Sequence, residues 1–324
     1  MVLLVALRGE VGTDTASYLS IVQQIKITGF QNTGILASYI EPAFLYLIKA
    51  LSYVTDVPMF VLVLIALIST TVLMSASVAT DRALFVFAFC IIPIFYMDMM
   101  MNGLRYGLSF SFAMYAVLKF YQRDLWLSIG FGVVAVLFHT SGLLLFCMIA
   151  LFADDRAEIK RWATLIAVLL LAVLVSLYIP ASALEGRHVL VEKHVLVEKH
   201  VFYKQFASPS WYSGLAPLTM SFALLFILRY GNRGSSLLST HQEYIFLALA
   251  GLTFGIAKFS YAGLRLQFVV LFAMLLMLQF KPQFAKIMDE KNKKRVMLVG
   301  FLGILAFMKN IIQGEGQGAS PFLP

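Results

Sequence analysis

The chain has 324 residues, of which 60% are hydrophobic and 13% charged, with a formal charge of +8. Its mean hydropathy is +0.86. A soluble domain carries about 45–50% apolar and about 25% charged residues, so this balance excludes an ordinary soluble globule and indicates a multi-spanning membrane protein. The basic residues are scattered rather than gathered in one patch, which argues against a nucleic-acid partner and fits basic cytoplasmic loops.

The first apolar run, MVLLVAL, has seven residues, short of the roughly 20 that a membrane helix needs. No charged n-region precedes it, so it is not a cleavable signal peptide. It reads as the end of a first membrane helix whose start lies upstream. ALRGEVGTDTASY (6–18) then leaves the bilayer, with Arg8 at the exit, glycines at the turn and Asp14 opening a surface helix that bears Tyr18. Segments 14–30 and 41–55 read as two juxtamembrane helices. The second is about 14 residues with Lys49 inside, so it is interfacial or re-entrant rather than spanning. At their starts, Asp14 and Thr15 sit where an N-cap would, and Pro42 after Glu41 fits a first helical position.

Apolar runs long enough to cross, or nearly cross, follow at 58–79, 83–97, 103–119, 125–138, 141–152, 162–180, 211–228, 244–258, 264–280 and 296–312. The two short ones, 125–138 and 141–152, meet at Phe138-His139-Thr140-Ser141-Gly142 and predict a tight helical hairpin or a broken membrane helix. Connections 80–82, 119–124, 153–161, 229–243 and 281–295 hold 14 of the chain's 25 Lys and Arg. The positive-inside rule assigns them to the cytoplasm. Asp14, Glu41, Arg105, His139 and Arg265 then share the extracytoplasmic side. The whole chain reads as a single polytopic membrane domain, all-α, with about 10–11 membrane helices and the two external helices. Residues 1–57 hold the partial first helix and the external pair, 58–180 the helices with Arg105 and His139, 181–210 an external loop, and 211–324 the C-terminal helices.

That loop contains HVLVEK twice in tandem (188–199). Its His188, His194 and His200 would line one face of an extended strand, but no second ligand type recurs at a closing distance, so a solvated duplication explains it better than a metal site. Cys90 and Cys147 lie in apolar runs and read as buried small hydrophobes. No acidic pair has metal-ligand spacing and no Asp-x-Asp occurs, so neither a metal nor another cofactor is called for.

Charge beside a bilayer is costly and marks a pathway or a site. Arg105, in MMMNGLRYGLSF (99–110), opens a membrane helix behind Asn102 and Gly103. A guanidinium there either snorkels to the headgroups or clamps a phosphate, for which its fork of permanent donors is suited. Arg265, in FSYAGLRLQF (259–268), starts another helix from the same side and offers the same pair of readings. His139 is either a packed, hydrogen-bonded residue or a base near neutral pH. No Gly-x-Ser-x-Gly or similar nucleophile stretch accompanies it, so rhomboid-type serine chemistry is not supported.

RGEVGTDTASY (8–18), Glu41-Pro42, NGLRYGLSFSFAMYAVL (102–118), LFHTSG (137–142) and GLRLQF (263–268) occur in this order and together resemble the EpsG family of Wzy-type polysaccharide polymerases. The family's Arg-Gln is Arg105-Tyr106 here, and its following Ala is Ser109. The resemblance implies glycosyl transfer from undecaprenyl-diphosphate-linked oligosaccharide, at the outer face of the bacterial cytoplasmic membrane, without a metal or other cofactor. It implies a GT-C-like architecture by analogy, and a chain-length regulator and a flippase as protein partners. Arg105 and Arg265, with Arg8, Tyr18 and Asn102, would hold the diphosphate and sugar. His139 would be the base or orient the acceptor, with Asp14 and Glu41 as rival bases. The alternatives are a lipid-linked oligosaccharide flippase and a membrane O-acyltransferase of polysaccharide.

Overall fold

In the computed structural model, residues 15–28, 40–96, 99, 103–178, 214–230, 238–258, 261–284 and 290–314 are described. Among them every regular element is helical. In chain order these are α1 (Thr15–Thr28), α2 (Pro42–Ser52), α3 (Pro58–Ser77), α4 (Asp81–Val86), a π-helical segment (Phe87–Tyr96), α5 (Leu104–Tyr121), α6 (Leu125–Phe138), α7 (Ser141–Ala150), α8 (Arg156–Tyr178), α9 (Leu215–Tyr230), α10 (Thr240–Ala257), α11 (Tyr261–Phe280) and α12 (Glu290–Gly314). Each of the ten apolar runs contains a helix among its described residues. Helices Pro58–Ser77 and Gly263–Phe280 are long and apolar enough to cross a membrane, with mean hydropathies of 2.4 and 1.8.

The run at 83–97 forms α4 and then the wider π-helical turns. Pro93 lies inside the latter and supplies no backbone N–H, so a regular α-helical ladder cannot continue through it. Helix α12 packs on this segment. A side chain on Gly300 would place its Cβ 1.5 Å from the Phe89 carbonyl oxygen, so only glycine permits this approach.

Helix α11 is the axis of the bundle. It is buried on all sides from Gln267 to Phe280, as expected of a helix apolar all round. It packs against α4, α5, α7, α9 and α10. The outer helices instead expose large apolar side chains, among them Phe60, Leu171, Phe222, Leu252 and Phe301. Such extensive apolar exposure is uncommon on soluble proteins and matches a lipid-facing girdle.

One end of the bundle is closed by a buried polar cluster. Lys281, just beyond α11, is 2% exposed. Its Nζ lies 2.9 Å from Asp154 Oδ2 and 3.8 Å from Glu158 Oε2 and donates to the Phe152 carbonyl. Gln242 Nε2 donates to the same carbonyl at 2.8 Å and to Asp154 at 2.7 Å. Tyr121 and Trp162 donate to Glu158 Oε1 at 3.3 and 3.4 Å. Arg82 donates to the carbonyls of Gln279 and Lys281 at 2.8 and 3.1 Å. The five basic connections therefore meet at one end, each through a named side chain. The N-termini of α5 and α11 lie at the other.

Helices α6 and α7 leave the Lys281 end and return to it, so they form a hairpin and not one broken helix. Their 14 and 10 residues rise only about 21 and 15 Å at 1.5 Å per residue. The hairpin tip at His139 therefore stops short of the bundle's other end. Across that end lie α1 and α2. Helix α1 buries Tyr18, Ile21, Val22 and Ile25, an i, i+3, i+4, i+7 stripe, and turns Gln23 and Lys26 outward. Helix α2 buries Phe44, Leu45 and Ile48. Both pack on α3, and α2 also on α6. Lys26 pairs with Asp56 and holds its carboxyl below the usual value, by hydrogen bond first and charge second.

Two stability predictions follow from this packing. Lys281→Met leaves two carboxylates facing each other without a cation, and removing one partner of a buried pair costs about 3–5 kcal/mol. It is expected to lower the thermal unfolding midpoint in detergent, with Glu158→Gln in the same chain restoring part of the loss. Gly300→Leu is expected to cost about 1–3 kcal/mol by overpacking the α12 contact, read in the same melt.

Candidate active site

At the end opposite Lys281, the N-terminus of α5 receives the two surface helices. Arg105 sits in the first turn of α5. Its Nη1 donates to Glu41 Oε2 at 2.6 Å, across 64 residues of sequence. The two side chains are 22% and 19% exposed. A bare snorkelling arginine would reach water or headgroups; this one is held by a carboxylate in a mostly desolvated setting, where charge-assisted hydrogen bonds are strong. Arg105 also donates to the Tyr18 hydroxyl oxygen.

Local structure explains why Glu41 is available. It occupies the N-cap position of α2 in extended backbone (φ −60°, ψ 136°), yet its side chain makes no cap hydrogen bond. Pro42 opens the helix and has no N–H to satisfy. The carboxylate is therefore spent on Arg105, not on capping. Tyr18 reaches the same place because its ring packs on Phe44, with centroids 5.5 Å apart, which couples α1 to α2.

His139 lies at the tip of the α6–α7 hairpin, against the first two turns of α5. Its ring stands edge-on to Tyr106, with centroids 6.3 Å apart and planes at 89°. Three hydrogen bonds hold its backbone and one its ring: the N–H donates to Ala135 at 3.2 Å, and the carbonyl accepts from Gly142 N–H at 3.0 Å and from Ser109 Oγ at 3.2 Å. Its Nδ1 accepts the fourth, from the Ser141 backbone N–H, at 3.0 Å. Gly142 is required for this closeness, since a Cβ there would stand 2.8 Å from Ser109 Oγ.

Ser109, whose hydroxyl meets the His139 carbonyl, lies one helical turn beyond Arg105 on α5, and Tyr106, which faces the His139 ring, directly follows Arg105. Arg105, Glu41 and Tyr18 thus meet at the start of α5, with His139 beside its first two turns.

Of the residues singled out from the sequence, Tyr18, Glu41 and Arg105 meet directly, and His139 adjoins the same helix. Arg265 lies at the same end, near the start of α11, and is exposed; the carboxylate that holds Arg105 is Glu41. Arg8, Asp14 and Asn102 lie outside the described residues, as does the HVLVEK duplication. Sequence reasoning passed over Tyr106 and Ser109 as partners of His139. Their signal was present, because both stand where the chain departs from the Arg-Gln-x-x-Ala pattern.

No curated protein and no solved structure matches the chain. A family model does, over residues 1–324. The motif resemblance and the full-length match agree, and the chain belongs to the EpsG family, a family of Wzy-like polysaccharide polymerases.

Proposed function

We propose that this membrane protein polymerises oligosaccharide repeat units carried on undecaprenyl diphosphate, at the outer face of the bacterial cytoplasmic membrane, for an O-antigen, capsule or exopolysaccharide. The observation that carries the reading is the Tyr18–Arg105–Glu41 cluster, in which three separate motif segments converge at one end of the bundle. The basic connections gather at the opposite end, which by the positive-inside rule is the cytoplasmic one. The crossing helices between the two ends, from α3 to α12, form the multi-pass membrane domain.

The chemistry fits the parts. The donor has a long apolar tail, which the exposed girdle admits from the lipid. An acceptor hydroxyl oxygen forms a bond to the anomeric carbon of the donor. The bond from that carbon to the phosphate oxygen breaks, and its electron pair leaves with undecaprenyl diphosphate. Charge grows on the leaving phosphate, and Arg105 is placed to offset it in a partly desolvated site. Arg265 adds a second cation at this end, and the motif assigns Arg8 to the same role, so guanidinium groups take the part a metal has in other transferases. Glu41 and Tyr18 hold Arg105 in place, and Asn102 stands three residues ahead of it for sugar contact. The hydroxyl proton passes to Glu41, Asp14 or His139.

Charge placement favours this reading over a flippase. The middles of α3, α8 and α11 carry no charged residue, whereas a transporter of diphosphate needs cations along its path.

Arg105→Ala is expected to lower the rate of polymer formation from a purified lipid-linked repeat by about 100-fold or more, the scale of losing one transition-state donor. Arg105→Lys is expected to lose most of that, because an ammonium cannot reproduce the fork. Glu41→Gln should fall between Arg105→Ala and the wild type. Gel ladders of the product give the readout. Wild-type ladders from Arg105→Ala would sink the proposal. Unpolymerised repeats that instead stay on the cytoplasmic side of reconstituted vesicles would identify a flippase, and full-length polymer lacking acyl groups an acyltransferase.

A further inference from the structure

From sequence, His139 is either the base or a residue that orients the substrate. The hydrogen bonds around it decide against the base. A neutral imidazole carries one proton, and the bond made by one nitrogen decides which nitrogen has it. The Ser141 backbone N–H is always a donor, and it donates to His139 Nδ1 at 3.0 Å. A proton on Nδ1 would point at that N–H. The neutral ring is therefore fixed with its proton on Nε2, on the side away from the α7 backbone.

We infer that His139 serves the reaction as a hydrogen-bond donor through Nε2–H, and that the acceptor's proton goes to a carboxylate. A base at Nε2 would need a lone pair there, and the Ser141 contact leaves that lone pair on Nδ1. This inference rests on the polymerase reading above and assigns a role within the same site.

The surroundings support a ring held for orientation. Helix α7 starts with Ser141, so the N–H that fixes the tautomer belongs to its first turn and has no partner within the helix. Ser109 and Gly142 fix the His139 carbonyl, and Tyr106 stands perpendicular to the ring. Tyr106 and Ser109 are the two departures from the family pattern, and both touch His139. In this chain the positions after the arginine therefore set the imidazole's plane and height.

The step then balances as follows. The hydroxyl oxygen attacks the anomeric carbon, and its proton passes to the carboxylate of Glu41, which is held beside Arg105. The carbon–oxygen bond to phosphate breaks with its electron pair going to the diphosphate. His139 Nε2–H donates a hydrogen bond to the departing phosphate oxygen and keeps its proton. Arg105 takes the remaining charge.

The test uses the full chain in lipid nanodiscs, with a lipid-linked oligosaccharide repeat as substrate. In histidine-labelled protein, 15N resonances of the five histidines are compared with those of His139→Gln to assign residue 139. The expected form at neutral pH has Nε2 protonated and Nδ1 bare. A protonated Nδ1 overturns the inference whatever the activity.

The kinetic arm compares two variants. Glutamine can place an amide N–H near the Nε2 position but cannot serve as a base. His139→Gln is expected to keep activity within about tenfold of the wild type and the same acid limb in its pH–rate profile. His139→Ala is expected to lose about 100-fold. A His139→Gln protein that melts normally but is as inactive as His139→Ala overturns the inference. So does loss of the acid limb in His139→Gln. A wild-type protein that forms no polymer sinks the polymerase reading instead, and the resonance arm then decides the tautomer alone.

Discussion

A buried ammonium sets the direction of the whole bundle. Lys281 is 2% exposed and stands between Asp154 and Glu158. A charge so placed is tolerable only with partners, because desolvation costs several kcal/mol per ion. Its partners lie in the 152–158 stretch, which Gln242 and Tyr121 join from two other connections, while Arg82 from a further one caps the end of α11. Once these groups are joined, every helix leaving the cluster must run toward the other end. The N-termini of α5 and α11, with Arg105 and Arg265, can then fall only there. The cluster does no chemistry in the proposed reaction, yet it decides where the chemistry can be.

The opposite end is built on a different principle. It is covered by two short amphipathic helices, α1 and α2, whose apolar faces pack on α3 and α6. They bring Tyr18 and Glu41 onto Arg105. The α6–α7 hairpin brings His139 beside the first two turns of α5. The proposed lipid-linked donor would meet apolar flanks outside, with a held guanidinium and an imidazole on the same helix end.

The helices were largely legible in the sequence, because long apolar runs have few alternatives when backbone groups must be satisfied internally. Where the reading missed, a local cause is visible. Helix α8 begins at Arg156, six residues before its apolar run, because RAEIKR is helical but polar. The run at 83–97 splits at the π-helical segment because Pro93 withholds an N–H. Tyr18, Glu41, Arg105 and His139 were each picked out singly. Their pairing was not readable, since it depends on how α1 and α2 lie across the bundle. Lys281 was counted only as one positive charge in a basic loop, and no pattern within its own segment distinguishes it from the five basic residues that follow.

The sequence by itself determined the class of protein, the order of helices and which of them carry charge at their ends, because hydropathy and charge act through composition and spacing. The tertiary structure decided which charge meets which. It gave Glu41 to Arg105 in place of a helix cap, turned 125–152 into a hairpin, and set a backbone N–H against His139 Nδ1. Each of these depends on a contact between chain segments, or on the path of a turn, within a few ångströms. Hydrogen bonds and ion pairs act only over such distances, and a linear pattern does not contain them.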